Sequence, residues 1–502
     1  MKNKIKRISA LLLAGTVLFG SSLIAGAADI ERSYTYNYDW WGDVQDSPDA
    51  YEVTGVYTSV DLGLEKGLNN PNGLYINGSN IYVCDTGNNR IIEITRTGRE
   101  SFEVSRIIEE FKGDVEVTTL SGPTDIAISE DGNIFIADKG NCRILKLDQD
   151  LNYLMQFDIP VDSTLDPEIT FQPHKIVVDT AERVYCIATG INKGLIKYEN
   201  DGVFSGFVGA TKVTYDFADY LQKKFATQAQ REQMVSFVPT EYANIFIDYE
   251  GFIYAVANGQ EEEDLDSEQA QAVRKLNLMG NDILVRNGEW PIYGDLYWGS
   301  AGGYEGPSQF EDVTCMDNDI YVCLDKNRGR LFGYDDQGKM VFAFGSNGNM
   351  DGYFRKPIAL DHMGHDLFVL DILDCSITLF TCTEFGETIY SAIELFDEGA
   401  YEASGAAWER VMEMDGNYDL AYIGIGRSLL RQKKYREAMD YFELKYDEDN
   451  YSKAFKQYRK EWVEDNIVTI VVVLLILFLV PLGIGKVKSI KHEIDIADIF
   501  RT

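Results

Sequence analysis

Seven polar residues stand at or beside the starts of recurring short apolar strands: Asn72, Asp125, His174, Lys175, Asn244, Glu311 and Asp312. Together they offer carboxylates, an amine, an imidazole and amides, a mixed-charge set that can hold a polar ligand through hydrogen bonds. Asp125, Glu311 and Asp312 carry oxygen donors, the ligand type that suits a hard divalent cation such as calcium. No other cofactor is implied. A zinc site of three histidines is not expected, because of His174, His362, His365 and His492 only His174 opens a recurring strand. The chain shows no nucleophile elbow, no P-loop and no EF-hand loop. Two loop-like aromatic clusters, residues 36–41 and 290–299, add a softer signal. Within the second, Trp290, Tyr293, Tyr297 and Trp298 are candidates to stack on sugar rings or anchor a protein partner, or else to fill gaps between sheets.

The elements that must position these residues follow from an internal repeat. Asn70-Pro71-Asn72-Gly73-Leu74-Tyr75-Ile76 leads to a second strand and then Asp85-Thr86-Gly87-Asn88-Asn89-Arg90. Gly122-Pro123-Thr124-Asp125-Ile126-Ala127-Ile128 leads likewise to Asp138-Lys139-Gly140-Asn141-Cys142-Arg143. Six such units align, over residues 68–95, 121–148, 172–199, 239–278, 306–335 and 345–380. Each is a run of short strands with Asp, Gly or Asn at the turns. One unit alone cannot bury both its faces, so a radial array of six four-stranded sheets is expected, the innermost strand following each Pro. That places the seven polar residues at the mouth of a central channel. Between units, residues 215–235 are expected to form a helical excursion, and the acidic run 260–268 a solvated loop.

The Pro, Asp/Glu-Gly or Gly-Asn, and Asp…Asn…Arg features resemble the NHL repeat family of β-propellers. The last motif recurs as Asp85…Asn88…Arg90 and Asp138…Asn141…Arg143, partly as Asp325…Arg330, and fades in the third, fourth and sixth units. The resemblance covers residues 68–383 and implies a mainly β, six-bladed propeller. Some propellers related to that family are lyases or lactonases that hold a metal. The Asp and Arg of the motif read as pins of a β-turn and not as catalysts.

At the N-terminus, Lys2, Lys4, Lys6 and Arg7 precede an apolar stretch and Ala25-Gly26-Ala27-Ala28, the pattern of a secretory signal peptide over residues 1–28. Residues 29–67 are a candidate to close the propeller. Residues 467–484 form an uncharged apolar run long enough to span a bilayer, and Lys486, Lys488 and Lys491 follow it. Positive residues favour the cytoplasmic side, so the chain is expected in a bacterial cell membrane with its ectodomain outside and residues 486–502 inside. The formal net charge is −35, from 46 Lys and Arg against 81 Asp and Glu, which argues against nucleic-acid partners. Seven cysteines cannot all pair within one chain; Cys315 and Cys323 flank a hairpin and are the candidate bridge.

Between propeller and membrane, residues 385–465 switch to helical periodicity. Ala392 and Gly426, Tyr401 and Tyr435, and Trp408 and Phe442 each recur 34 positions apart, and Lys434-Tyr435-Arg436-Glu437-Ala438 stands in the second copy. This resembles the tetratricopeptide repeat, and implies either a docking site for partner peptides or a helical spacer. Taken together, these features predict a membrane-anchored extracytoplasmic binding or scaffold protein. Its propeller would recognise a protein or carbohydrate ligand, with a membrane-protein partner such as a carbohydrate transporter. The alternative is a sugar-lactonase-like hydrolase or lyase using a carboxylate-bound divalent cation.

Overall fold

The computed structural model describes residues 34–166, 168–210, 242–257, 271–296 and 306–499. The expected signal peptide, helical excursion and acidic loop lie outside these residues, as do Tyr297 and Trp298. The described chain divides into two compact units, residues 1–390 and 391–502.

The first unit is mainly β and forms a six-bladed propeller. Blade 1 runs outward through Gly73–Asn77, Asn80–Asp85, Arg90–Arg96 and Phe102–Ile108. Blade 2 has Pro123–Ile128, Ile134–Asp138, Arg143–Leu147 and Tyr153–Phe157. Blade 3 has Pro173–Val178, Val184–Ala188, Leu195–Tyr198 and Phe204–Val208. Blade 4 shows three strands among the described residues, Tyr242–Ile247, Ile253–Ala257 and Val273–Leu276. Blade 5 has Phe310–Cys315, Tyr321–Asp325, Arg330–Tyr334 and Met340–Phe344. Each inner strand adjoins the inner strand of the next blade, and that of blade 6 adjoins blade 1, so the sheets close into a ring.

Closure is made by the start of the chain. Blade 6 contributes Pro357–Met363, Asp366–Asp371 and Ser376–Cys382, and its fourth strand is Tyr51–Thr58, antiparallel to Ser376–Cys382 from Thr58 opposite Ser376 to Tyr51 opposite Cys382. One sheet therefore holds both ends of the propeller sequence and removes an open edge. Just upstream, Thr35–Tyr38 and Val44–Asp46 add two strands to the outside of blade 5.

The core lies between blades. Ile81 and Val83 of blade 1 pack with Phe368 and Leu370 of blade 6. Phe135 and Ala137 of blade 2 pack with Cys186 and Ile196 of blade 3, and Tyr254 and Val256 of blade 4 with Val313 and Cys323 of blade 5. Second strands such as Ile134–Asp138 are buried on both faces, which is why they read as unbroken apolar runs and not as alternation. The interior positions of Cys84, Cys186, Cys315 and Cys323 use cysteine as a small apolar residue, and all seven cysteines are free thiols, Cys315 and Cys323 included.

The turn motif recurs as atomic detail. Asp138 accepts the Ser121 amide at 2.8 Å on one oxygen; on the other it accepts Asn141 Nδ2 and Arg143 Nε, both at 2.9 Å. Asp85 does the same with Asn69, Asn88 and Arg90 in blade 1. The Gly140 amide donates to the Ser121 carbonyl at 2.7 Å, and a Cβ there would meet that oxygen at 2.6 Å, so the motif needs glycine. In blade 5 the arginine is redirected: Arg330 Nε lies 3.9 Å from Asp295, whose carboxylate also accepts the Tyr36 and Tyr38 hydroxyls.

The second unit is helical. In chain order the helices after the propeller are α1 (Glu384–Asp397), α2 (Tyr401–Met414), α3 (Asp419–Arg431), α4 (Tyr435–Leu444) and α5 (Glu448–Ile499). Positions 34 apart share an environment: Ser404 and Ala438 are buried, as are Trp408 and Phe442. Gly424 and Gly426 of α3 admit the rings of Trp408 and Phe442, which a Cβ would meet at 2.4 and 2.6 Å. Helix α5 is long and apolar enough to cross a membrane, and its apolar residues from Ile467 to Ile484, apart from the half-buried Ile470, lie exposed.

Candidate functional site

The inner strands surround a cavity of about 390 Å³ on the propeller axis. That volume falls in the lower part of the range for small-molecule sites, about 300–1,000 Å³. Because strand side chains alternate, alternate residues of each inner strand share a face. The residue two after each strand-initiating Pro, or its equivalent, supplies one layer: Asp125, Lys175, Asn244 and Asp312 all line the cavity. The equivalent place in blade 1 is Gly73, where a Cβ would meet the Thr124 carbonyl at 2.5 Å. The intervening residues Leu74, Ile126, Ile176, Ile245 and Val313 alternate to the other face and join the buried clusters between blades. The next residues on the cavity side are Tyr75, Phe246 and Asp361, then Asn77, Tyr249 and Asp317 toward the ends of the inner strands.

The channel carboxylates tie blades together. Asp125 Oδ2 accepts the Ile176 amide of blade 3 at 2.8 Å, and Asp312 Oδ2 accepts the Leu360 amide of blade 6 at 2.7 Å. Asp361 Oδ2 accepts the Ile76 amide of blade 1 at 2.7 Å, which clips the seam where the ring closes. Their other oxygens serve amides within their own strands, as in Asp312 to Val313 at 2.8 Å and Asp361 to His362 at 2.8 Å.

Burial sets the ionisation of this layer. Loss of hydration pushes the Asp312 carboxyl up to about 8 and Asp125 to about 6, against the pull of Lys175 and the amide donors. For Lys175, burial favours the neutral amine, but Asp125 and Asp312 outweigh it and raise the pKa, so the side chain is an ammonium. Its hydrogen bond among the described residues is a long one, 3.4 Å to the carbonyl of Asn72.

Of the seven polar residues singled out from the sequence, four thus line one cavity and three stand apart. Asn72 meets Lys175 through its main chain only, and its buried Oδ1 has no partner among the described residues. Burial, with Lys175 and Lys139, lowers His174 to about 3; its buried Nδ1 likewise lacks a partner among the described residues. Glu311 pairs with Lys326 at 2.6 Å. Asp125, Glu311 and Asp312 therefore do not form one oxygen cage. Among the described residues the acidic trio whose oxygens lie within 4.8 Å of one another is Asp248, Glu250 and Asp319, and there Lys275 already reaches Asp248 at 3.2 Å and Asp319 at 3.1 Å.

Asp361 escaped the sequence reading because it stands two residues after the aligned position, which is Ala359 in blade 6. The two-residue strand period, which keeps positions 359 and 361 on one face, was the signal that could have found it. His362 beside it bonds Thr314 Oγ1 through Nδ1 at 2.6 Å, and His365 pairs with Glu387 at 2.8 Å and stacks on Tyr390. The aromatic candidates separate too. Trp290 donates Nε1–H to the Asp39 carbonyl at 3.0 Å and packs on Gly42, so it joins the 36–41 cluster. Tyr293 packs on the core between blades 4 and 5.

Comparison with known proteins adds little to this geometry. No curated protein matches the chain. Among solved structures, a streptogramin B lyase is 12% identical, covers 67% of this chain and 100% of its own, and has a TM-score of 0.39. Virginiamycin B lyase from Staphylococcus aureus is 9% identical over 66% of this chain and 100% of its own, with a TM-score of 0.37. A protein of unknown function from Bacteroides thetaiotaomicron is 9% identical over 70% of this chain and 76% of its own, with a TM-score of 0.38. Likenesses this distant carry no argument about activity. The family model for the NHL repeat matches residues 120–147, which places the match on the first three strands of blade 2.

Proposed function

We propose that this chain is a membrane-anchored extracytoplasmic recognition protein whose propeller channel is its ligand site. The observation that carries the reading is Lys175, a buried ammonium on the wall of a 390 Å³ axial cavity that, among the described residues, has one long hydrogen bond for its three donors. The channel carboxylates, by contrast, are engaged in holding the blades, which favours binding over acid–base chemistry there. The exposed apolar stretch of α5, followed by Lys486, Lys488 and Lys491, supports a single bilayer crossing with the tail in the cytoplasm. The helical hairpins of α2 to α4 then suit a spacer or a docking element for a membrane partner such as a carbohydrate transporter.

The test is chemical cross-linking in intact cells followed by affinity purification of the full chain in detergent. Recovery of a stable membrane or extracellular partner, together with fractionation to the membrane, is the expected result. A chain recovered alone, or from the soluble fraction, overturns the reading.

A further inference from the structure

We infer that the ligand of the propeller channel is a neutral saccharide, held through its hydroxyls by Lys175 and against Tyr249 by a carbon–hydrogen face. The inference rests on the channel being the ligand site and names the class of molecule that fills it.

Lys175 is 4% exposed, yet among the described residues its ammonium makes one bond, of 3.4 Å, longer than an ordinary N–H···O contact. A buried donor left without an acceptor is costly, so the wall of the cavity asks for an acceptor atom from within it. Charge decides what kind. Among the described residues Asp125 and Asp361 line the same space against a single lysine, while burial pushes Asp312 up to about 8 and holds it largely protonated at neutral pH. A free carboxylate or phosphate would meet that excess of acids, and a cation would compete with the ammonium already there. A hydroxyl avoids both: it accepts from Lys175 and donates to a neighbouring carboxylate oxygen.

Shape and polarity agree. Lys175 stands near the start of its inner strand, whereas Tyr249, which is 63% exposed, lines the cavity just past the end of strand Tyr242–Ile247. A pyranose presents the matching surface, with a rim of hydroxyls and an apolar face that packs on an aromatic ring. The volume admits a monosaccharide or a disaccharide.

The experiment is calorimetric titration of the full chain, in a detergent free of sugar headgroups, with D-glucose, D-galactose, D-mannose, N-acetylglucosamine, maltose and cellobiose. Sodium D-glucuronate is the charged comparator. Saturable binding of at least one neutral sugar is expected, weakened tenfold or more by Lys175→Met and severalfold by Tyr249→Ala. Absence of binding by every neutral sugar, tighter binding of glucuronate, or binding indifferent to both substitutions overturns the inference. Tyr249 is largely exposed, so Tyr249→Ala decides the matter should Lys175→Met fail to fold. A negative titration beside a partner recovered by cross-linking discards the saccharide alone. Saccharide binding by a chain that is recovered without a partner discards the membrane-scaffold reading instead.

Discussion

Asp312 of blade 5 accepts the main-chain amide of Leu360 in blade 6 at 2.7 Å, so one carboxylate at the axis fastens two sheets. Burial pushes this carboxyl from 3.8 to about 8, and Asp125 at the seam of blades 2 and 3 to about 6. The folded form therefore holds more protons than the unfolded chain between pH 4 and 8, and stability falls as pH rises through that window. Melting temperature measured from pH 5 to 9 is expected to decline, and Asp312→Asn to flatten the decline. An identical slope in the variant would remove Asp312 as its source.

The Asp138–Arg143 pair is buried, with Asp138 also holding the Ser121 amide. Removing one member of a buried pair strands the other, at a cost of about 3–5 kcal/mol. Asp138→Ala should lower propeller stability by that order in urea unfolding and leave ligand affinity in the channel unchanged. A loss under about 0.5 kcal/mol, the scale of an ordinary surface change, would contradict the pinning role.

Strand Tyr51–Thr58 completes blade 6 from the far end of the sequence. Deleting residues 34–58 leaves Ser376–Cys382 with a bare edge and removes the closing contacts. Circular dichroism and limited proteolysis are expected to show an open, protease-sensitive propeller. A deletion variant that melts like the intact chain would mean that closure does not depend on this strand.

In the helical unit, Gly426 lets Phe442 approach α3 within the space a Cβ would need. Gly426→Ala should destabilise this unit by about 1–3 kcal/mol, the range for overpacking a filled core. Hydrogen exchange of helices α2 to α4 reads the loss directly, and the propeller strands should exchange as before. Unaltered exchange in α3 and α4 would contradict the packing described.

Much of this architecture is legible in sequence because each blade is a local unit. The strand after each Pro, the second strand buried on both faces, and the Asp…Asn…Arg turn all follow from residues within about thirty positions, and the repeat multiplies the signal. Four of the cavity residues share one place in that repeat, which is how Asp125, Lys175, Asn244 and Asp312 come into view together. What local pattern cannot give is contact across the ring. Trp290 meets Asp39, and Asp295 meets Tyr36 and Tyr38, over more than 250 residues. Strands 35–38 and 44–46 join blade 5 although they precede blade 1, and nothing in their own composition names that neighbour. Cys315 and Cys323 read as a possible bridge because they flank one hairpin. In the ladder, however, Cys315 stands opposite Tyr321 and Cys323 opposite Val313, and both are free.

The channel claim meets its most direct test in an experimental structure of the full chain equilibrated with the tightest-binding sugar of the panel. A pyranose inside the ring, with a hydroxyl within about 3 Å of Lys175 Nζ and its apolar face on Tyr249, is the predicted result. A sugar seated elsewhere, for instance on the exposed indole of Trp41, with the channel filled by solvent alone, would contradict it.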